Sequence, residues 1–507
     1  MKRLLPTLLL TWLALSSLHA QDTSSASEWA KLRYTLHTDI VASTGQHTPF
    51  WLVSNRHGRS SLTQGNGQLS VGLFRDFDTS RRFTWAYGAE LTAAYHHLAP
   101  RYIHQLYADL KYGCWELSLG SKERWSEGKH RTLSGGGLTF APNARPIPQV
   151  RFGINDYATV PWLFDGWVQV KGHLSYGRYT DKSFLLSHMT DAPRNTHYTL
   201  DILFHEKTAF LKIGNENKHP LSAEIGLEMY SQFGGTFMIK RPGMADSVRH
   251  RIPHTYKEYL KALIPMEGGS DAPASDQQNI NGNVFGSWHL AATYRASSWH
   301  LRLYYEHFYE DHSGLLGYHK PSHTIAYFPW HDGLYAFELT LPHSPLVRTV
   351  VYEFITSRMQ SGPILKYGED PMVGKDSFYN NSIYQSWQHW GMAVCNPHHL
   401  SPLYAERPTQ RMSHTRLRSH HIGLGGSPTP QTDYRLLCSW TRHWGTYDDP
   451  LPEPQTQFSL MAELSYAPTT WSGWQLTGAI ALDRSPLIGN NTGAMLTLRR
   501  QGHLIKQ

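Results

Sequence analysis

The 507-residue chain carries 47 Lys and Arg against 40 Asp and Glu, a formal charge of +7; only 17% of its residues are charged, while 13% are aromatic. That composition excludes a disordered chain, and no fixed repeat supports a coiled coil or collagen. A multi-span helical membrane protein would need runs of about 20 apolar residues, which leaves a large β-rich fold or several ordinary domains.

Taken in order, residues 1–20 read as a secretory signal. Lys2 and Arg3 precede an uncharged apolar stretch from Leu4 to Leu15, and Ser16-Ser17-Leu18-His19-Ala20 resembles a cleavage site. Residues 21–507 are expected to form a single barrel domain. From Phe83 the chain alternates: Phe83, Trp85, Tyr87, Ala89, Leu91, Ala93 and Tyr95 are separated by small or polar residues. Aromatics toward both ends of a greasy face are the pattern of a strand crossing a bilayer. The run outlasts the strands of about 5 to 6 residues usual in soluble sandwiches. The period recurs from Trp115 to Leu119, Tyr198 to Phe204, Trp299 to Tyr305, Phe458 to Tyr466 and Trp474 to Leu482. About 16 to 19 such segments fit the strand template. The fold expected is all-β, a large transmembrane antiparallel β-barrel.

Three stretches depart from the alternation. In His254 to Ile264, Tyr256, Tyr259, Leu260, Leu263 and Ile264 share a helical face ahead of a Gly268–Pro273 loop. This predicts a short helix-bearing insertion at one barrel mouth, within a long loop of about residues 242–284. Residues 361–433 are rich in Pro, Gly, His and Asn and predict a second long loop with weaker strands. The last strand is expected near Ala494 to Arg499, followed by a tail from Arg500 to Gln507.

Cys114, Cys395 and Cys438 sit in no CxxC or zinc spacing, so stability is expected from packing and hydrogen bonds. The 31 His suggest a surface charge that responds to pH near 6 to 7. No metal site is expected: His398-His399 and His420-His421 are adjacent pairs, and neighbours on a strand face opposite sides. No hydrolase elbow, zinc-protease or phosphate-loop motif occurs, although a Ser-His pair assembled from separate strands would leave no such motif.

Two places concentrate recognition chemistry. Arg145, after Asn143 and before Pro146 and Pro148, lies in an ordered loop ahead of a strand beginning at Val150. Its guanidinium can fork onto a ligand carboxylate, or pair with an Asp or Glu inside the barrel and stabilise a plug. Asn380, Asn381, Tyr384, Trp387, His389 and Trp390 gather amides and rings. They can bind sugar hydroxyls and stack on sugar faces, or plug the barrel as a Trp-rich loop.

Five blocks resemble the capsule assembly Wzi family of outer-membrane proteins, in the form found in Bacteroidetes-like bacteria. They are Thr48-Pro49-Phe50-Trp51-Leu52 with Asn55-Arg56-His57-Gly58; Leu133-Ser134-Gly135-Gly136 with Asn143-Ala144-Arg145-Pro146-Ile147-Pro148-Gln149-Val150-Arg151; Gly282-Asn283 with Gly286-Ser287-Trp288; Asp332-Gly333-Leu334-Tyr335 with Gln360-Ser361-Gly362-Pro363; and Tyr379-Asn380-Asn381 with Tyr384, Trp387, Gly391, Asn396 and Pro397. Phe285 stands where the family has His, and Ser386 where it has Gly. The resemblance implies a barrel of about 18 strands. It also implies a lectin-like, non-enzymatic role in attaching capsular or other surface polysaccharide to the cell. The partners would be that polysaccharide, outer-membrane lipid and the polysaccharide export machinery, with no cofactor, no nucleic acid and a monomeric state. The competing readings are a channel for small solutes and a barrel hydrolase or acyltransferase.

Overall fold

A computed structural model describes residues 31–505 except 161–165, 194, 242–244, 265–281, 311–330, 361–364, 368–369 and 373–376. The signal segment and the Gly268–Pro273 loop lie outside the described residues. In all but one of the alternating runs named above, the backbone is extended and pairs with its neighbours in sequence. The wall strands are β1 (Leu32–Thr44), β2 (Gly67–Arg75), β3 (Phe83–Tyr95), β4 (Arg101–Tyr112), β5 (Trp115–Ser121), β6 (Gln149–Thr159), β7 (Val168–Arg178), β8 (Leu203–Ile213), β9 (Leu221–Phe233), β10 (Asn283–Arg295), β11 (His300–Glu310), β12 (Gly333–Thr340), β13 (Thr349–Thr356), β14 (Leu417–Thr429), β15 (Thr432–Gly445), β16 (Pro450–Tyr466), β17 (Trp474–Arg484) and β18 (Thr492–His503). They form one 18-stranded antiparallel sheet, and β1 pairs with both β2 and β18, so the sheet closes into a barrel without a free edge.

The expected faces are observed. On β3, Leu91 is 61% exposed and Tyr95 64%, while Thr84, Glu90 and Thr92 on the alternate face are buried. On β17, Ile480 is 66% exposed beside buried Ala479 and Ala481. A wall this apolar outside and polar within is the arrangement of a membrane-spanning barrel. Its two rims differ. On the side of the chain termini the turns are tight, such as Gly113–Cys114 and Pro430–Gln431. The long connections 45–66, 122–148, 179–202 and 357–416 leave from the opposite rim, here called the loop side.

Four expectations are corrected. The run from Tyr198 to Phe204 is not one strand: Asp201 adopts φ +58°, and His197–Leu200 instead joins Thr236–Ile239 and Ser247–Arg251 in a three-stranded sheet. The tail at Arg500–His503 belongs to β18, because β1 supplies hydrogen-bonding partners as far as Arg33 opposite His503. The stretch 361–433 holds a full wall strand, β14. Its inward Ser419 and His421 and outward Arg418 and His420 are polar on both faces, so hydropathy gives no alternation there.

The fourth correction concerns the helices, which are α1 (Phe50–Val53), α2 (Lys182–His188) and α3 (Tyr256–Leu263). The sequence predicts α3, and its Thr255–Glu258 capping box supplies a start signal. It does sit at the loop-side mouth, by the ends of β7 and β9, but against the outer wall and not over the lumen. Tyr259 packs on Tyr176 and Phe233, at 5.3 and 5.0 Å between ring centroids, and both rings point away from the lumen. Outward Lys207 donates to the carbonyls of Ala262 and Leu263 at the helix end. Tyr256, Leu260 and Ile264 of the expected apolar face remain exposed.

Candidate functional site

The site is built by loops that enter the lumen. β5 ends at Ser121 opposite Leu106, and β6 starts at Gln149 opposite Gly120, so residues 122–148 leave and rejoin the wall part-way along it. The excursion crosses the barrel from wall to wall. Glu123 meets Arg59 and His104, Lys171 of β7 donates to Glu127 at 2.5 Å, and Lys129 donates to Glu306 of β11 at 2.5 Å. At the far side His421 of β14 donates to the Leu133 carbonyl at 2.7 Å. Two fully buried wall carboxylates receive the backbone of this loop. Glu353 accepts from Gly135 N at 2.7 Å and from Ser134 Oγ and Tyr304 OH; Glu306 accepts from Leu138 N at 2.7 Å. A buried charge is tolerated only when its lone pairs are used in this way.

The sequence blocks meet inside the barrel. Asn55 donates through its backbone to Asn143 Oδ1 at 3.3 Å and through Nδ2 to the Gly135 carbonyl at 2.9 Å. Asn143 Nδ2 donates to the Ala393 carbonyl at 3.1 Å, and Asn396 Nδ2 to the Gly136 carbonyl at 2.6 Å. Loops 45–66, 122–148 and 377–416 thereby lock to one another. Several non-glycine residues of the lock, Asn55, His57, Tyr379, Gln385 and Trp390, hold positive φ between +54° and +69°. Such strain persists only where surrounding contacts over-determine the backbone.

This geometry sorts the sequence candidates. Asn143 is wholly committed to the lock. Asn380 bonds the Met412 carbonyl and amide at 2.8 and 2.9 Å, and Asn381 Oδ1 accepts from the backbone of Ile383 and Tyr384. Tyr384 and Trp387 are buried, and Trp387 lies 4.0 Å from Phe285 between ring centroids. Phe285 thus fills the plug core at a position where the resemblance implies His. His389 donates from Nδ1 to the Arg145 carbonyl at 3.0 Å and accepts at Nε2 from the Thr180 amide at 3.2 Å. Burial lowers its pKa to about 4. The same cause holds His398 well below its ordinary value and takes His399 to about 3, so these plug histidines are neutral at pH 6 to 7 rather than part of a responsive surface. Trp390 is engaged by protein partners: Phe184 stacks at 5.7 Å, and the Arg145 guanidinium lies 4.5 Å from its centroid.

Arg145 is the exception. Its guanidinium sits between Tyr102, at 3.8 Å, and Trp390, and donates at 2.9 Å to His97 Nδ1. It is 7% exposed and has no carboxylate partner among the described residues. The second sequence option, an internal Asp or Glu, is not among its contacts in the described residues. The side chain instead borders two cavities. One, of 570 Å³, opens on the loop side beside Gln46, His47, Thr63, Gln64 and His96. The other, of 470 Å³, runs from mid-lumen toward the terminus side beside Lys122, Glu127, Lys171 and Glu206. A third, of 590 Å³, lies under the plug on the terminus side, with Arg131, Arg348 and Arg499 in its wall. Sequence reasoning missed Tyr102 and His97 as the partners of Arg145, because no local pattern links those strand and turn residues to a loop more than 40 positions away.

The structure also contains a Ser-His-acid arrangement with no sequence signature. Ser287 Oγ lies 2.9 Å from His289 Nε2, and His289 Nδ1 lies 3.3 Å from Glu306. Ser287 is fully buried with Thr139 Oγ1 at 2.6 Å, and the adjoining space beside His289 is only 10 Å³. No acyl group reaches that hydroxyl in this conformation. Among the described residues no cluster of three His, Cys, Asp or Glu is placed to hold a metal. His420 points outward to Tyr352 OH while His421 points inward.

No family model matches the chain, and no curated protein sequence matches it. Among solved structures it is similar to Wzi of Escherichia coli, described as an outer-membrane protein involved in group 1 capsule assembly and a carbohydrate-binding β-barrel. The identity is 12% and the TM-score 0.52, over 96% of this chain and 91% of that one. OpdL of Pseudomonas aeruginosa aligns over 94% of this chain and 99% of its own, at 11% identity and a TM-score of 0.44. At these identities the likeness is one of fold.

Proposed function

We propose that this chain is an outer-membrane barrel of the capsule assembly Wzi kind that attaches capsular or other surface polysaccharide at the cell surface and organises it. It would be exported through its N-terminal signal segment, with the loop side facing outward as in barrels whose periplasmic turns are short. The observation that carries the reading is the plug. Residues from three of the blocks that resemble the family interlock across the lumen, and a loop-side pocket that mixes Gln, Ser and Thr with Leu side chains lies above them. The carbohydrate-binding activity stated for the Escherichia coli Wzi barrel supports it. A solute channel is the weaker reading, since the crossing loop is tied to β7 and β11 by ion pairs and to β14 by the His421 hydrogen bond. A hydrolytic role is weaker still, because Ser287 is sealed.

Deleting the gene is expected to release polysaccharide into the medium while synthesis continues. Cell-associated polymer at unchanged levels would refute the attachment role. Planar-bilayer recordings of the purified chain would then separate the alternatives, stable ion conductance favouring a channel.

A further inference from the structure

Of the cavities, the loop-side one holds the most isolated charge. Its wall sets Gln46, Ser60, Ser61, Thr63 and Gln64 beside apolar Leu62, Leu98, Met392 and Leu403, and it contains no Asp or Glu among the described residues. Its one permanent charge is Arg145. A guanidinium has five N–H donors, and here one protein acceptor, His97, is hydrogen-bonded to the side chain. The two aromatic faces clamp the guanidinium plane without satisfying its edge. Burial disfavours the charge, and the pKa falls to about 10. Gly58, at φ +66°, makes the close approach possible: a Cβ there would lie 2.6 Å from Arg145 Cγ. The side chain is therefore held in place, charged and uncompensated, at the floor of a pocket whose size falls within the roughly 300–1,000 Å³ of small-ligand sites.

We propose that the loop-side pocket is a subsite for a carboxylate-bearing sugar, a uronic acid residue of the attached polysaccharide, whose carboxylate accepts from the open edge of Arg145 while the Gln, Ser and Thr side chains take its hydroxyls. This rests on the attachment reading and names the substrate class for it. A planar carboxylate matches the fork of a guanidinium, and a bound anion supplies the missing countercharge. Trp390 and Tyr102 are positioning residues: the ring faces that hold Arg145 are not open to the sugar.

The test is calorimetric titration of the full-length chain in detergent. The probes are oligosaccharides containing glucuronate or galacturonate, their carboxyl-reduced neutral counterparts, and inorganic phosphate. The wild-type chain is expected to bind an acidic oligosaccharide at least about tenfold more tightly than its reduced form, the scale of one charge-assisted hydrogen bond. Arg145→Gln is expected to abolish that difference. Thr63→Glu adds a negative charge to an exposed wall position whose side chain holds nothing else, and is expected to weaken acidic binding several-fold, more at low salt. Its value lies in leaving the plug packing untouched should Arg145→Gln unfold. Equal affinity of wild type and Thr63→Glu, or of acidic and reduced sugars for wild type, overturns the proposal. So does phosphate competing as well as the uronate, which would make the site a general anion hole. If the producer's polymer binds wild type and Arg145→Gln alike, the acidic subsite falls while attachment stands. If the deletion strain keeps its polymer, attachment falls.

Discussion

Along the outer wall one instruction is repeated. Leu91, Ile480 and Leu496 face outward on β3, β17 and β18, and each can be exchanged for another apolar residue without loss of meaning. Inside, no two neighbours do the same work. Asn143 spans two loops, Arg145 is clamped between rings, and Glu353 gathers an amide and two hydroxyls. The wall is specified by periodicity and tolerates change within a class. The plug is specified by individual hydrogen bonds that replace water for polar groups far from the rim. The contrast predicts that plug substitutions are costly and local, and wall substitutions graded by polarity.

The largest effect is expected for Glu353→Ala. It strands the Gly135 amide and the Ser134 and Tyr304 hydroxyls in a fully buried place, a loss of about 3–5 kcal/mol by analogy with broken buried polar pairs. Trp387→Ala should cost a similar amount, about 3–5 kcal/mol, through the cavity left against Phe285. In both variants limited proteolysis should cut loops 122–148 and 377–416 while the barrel keeps its resistance to heat and detergent. Loss of the whole barrel would mean that wall and plug fold as one unit.

Next comes Ile480→Arg, near the middle of β17 and 66% exposed. If lipid covers it, the change should cost about 2–4 kcal/mol in unfolding from bilayers. Ile480→Leu should be close to neutral. If both are neutral, water bathes that face and the wall is not a membrane wall.

Acid should act on the plug first. His389 has its pKa lowered to about 4 and His399 to about 3, against an ordinary value of 6.5, so undocked loops bind more protons than docked ones between those values. The stabilisation is whole above pH 6.5 and is lost as pH falls toward 4. Protonated His389 would also turn an N–H against the Thr180 amide. Asp181, raised to about 6 by burial, and Asp332, raised by the same cause where it holds the Met359 and Gln360 amides, have the opposite sign over part of the range, but His389, His398, His399 and His414 outnumber them. Protease sensitivity of the plug loops should therefore rise between pH 6.5 and 4, and His389→Gln should flatten the profile.

The same contrast explains what was legible in the sequence. β3 could be read to the residue because its faces differ in polarity over its whole length, and the barrel class followed from such strands. β14 could not, since Ser419 and His421 inside and Arg418 and His420 outside give no hydropathy contrast. In the plug, residue type flagged Asn380, Trp387 and Arg145, but not which would pack and which would line space. That division depends on contacts between distant segments, such as Arg145 with Tyr102 and His97, which no spacing encodes. The anchoring role of Glu306 and Glu353 has no local signal either, because each is defined by an amide of the distant crossing loop.

The smallest effect in free energy concerns α3, which belongs to the wall although it is aperiodic with it. Its docked face is secured by Tyr259 on Tyr176 and Phe233, while Leu260 is 52% exposed and Ile264 60%. In water an exposed Leu260→Ser change alters stability by no more than about 0.5 kcal/mol. Lipid contact would raise the cost toward about 1 kcal/mol, because some apolar area would then lose its preferred solvent. Stability alone separates these poorly, so a nitroxide at Leu260→Cys, with exposed Cys114 replaced by Ser, is the sharper probe. Relaxation faster with oxygen than with a water-soluble nickel chelate would place α3 at the rim of the outer leaflet, as an amphipathic helix lying in the interface. The reverse order would leave it in water, a cap over the β7–β9 rim, and the apolar band of the wall would end at Tyr176.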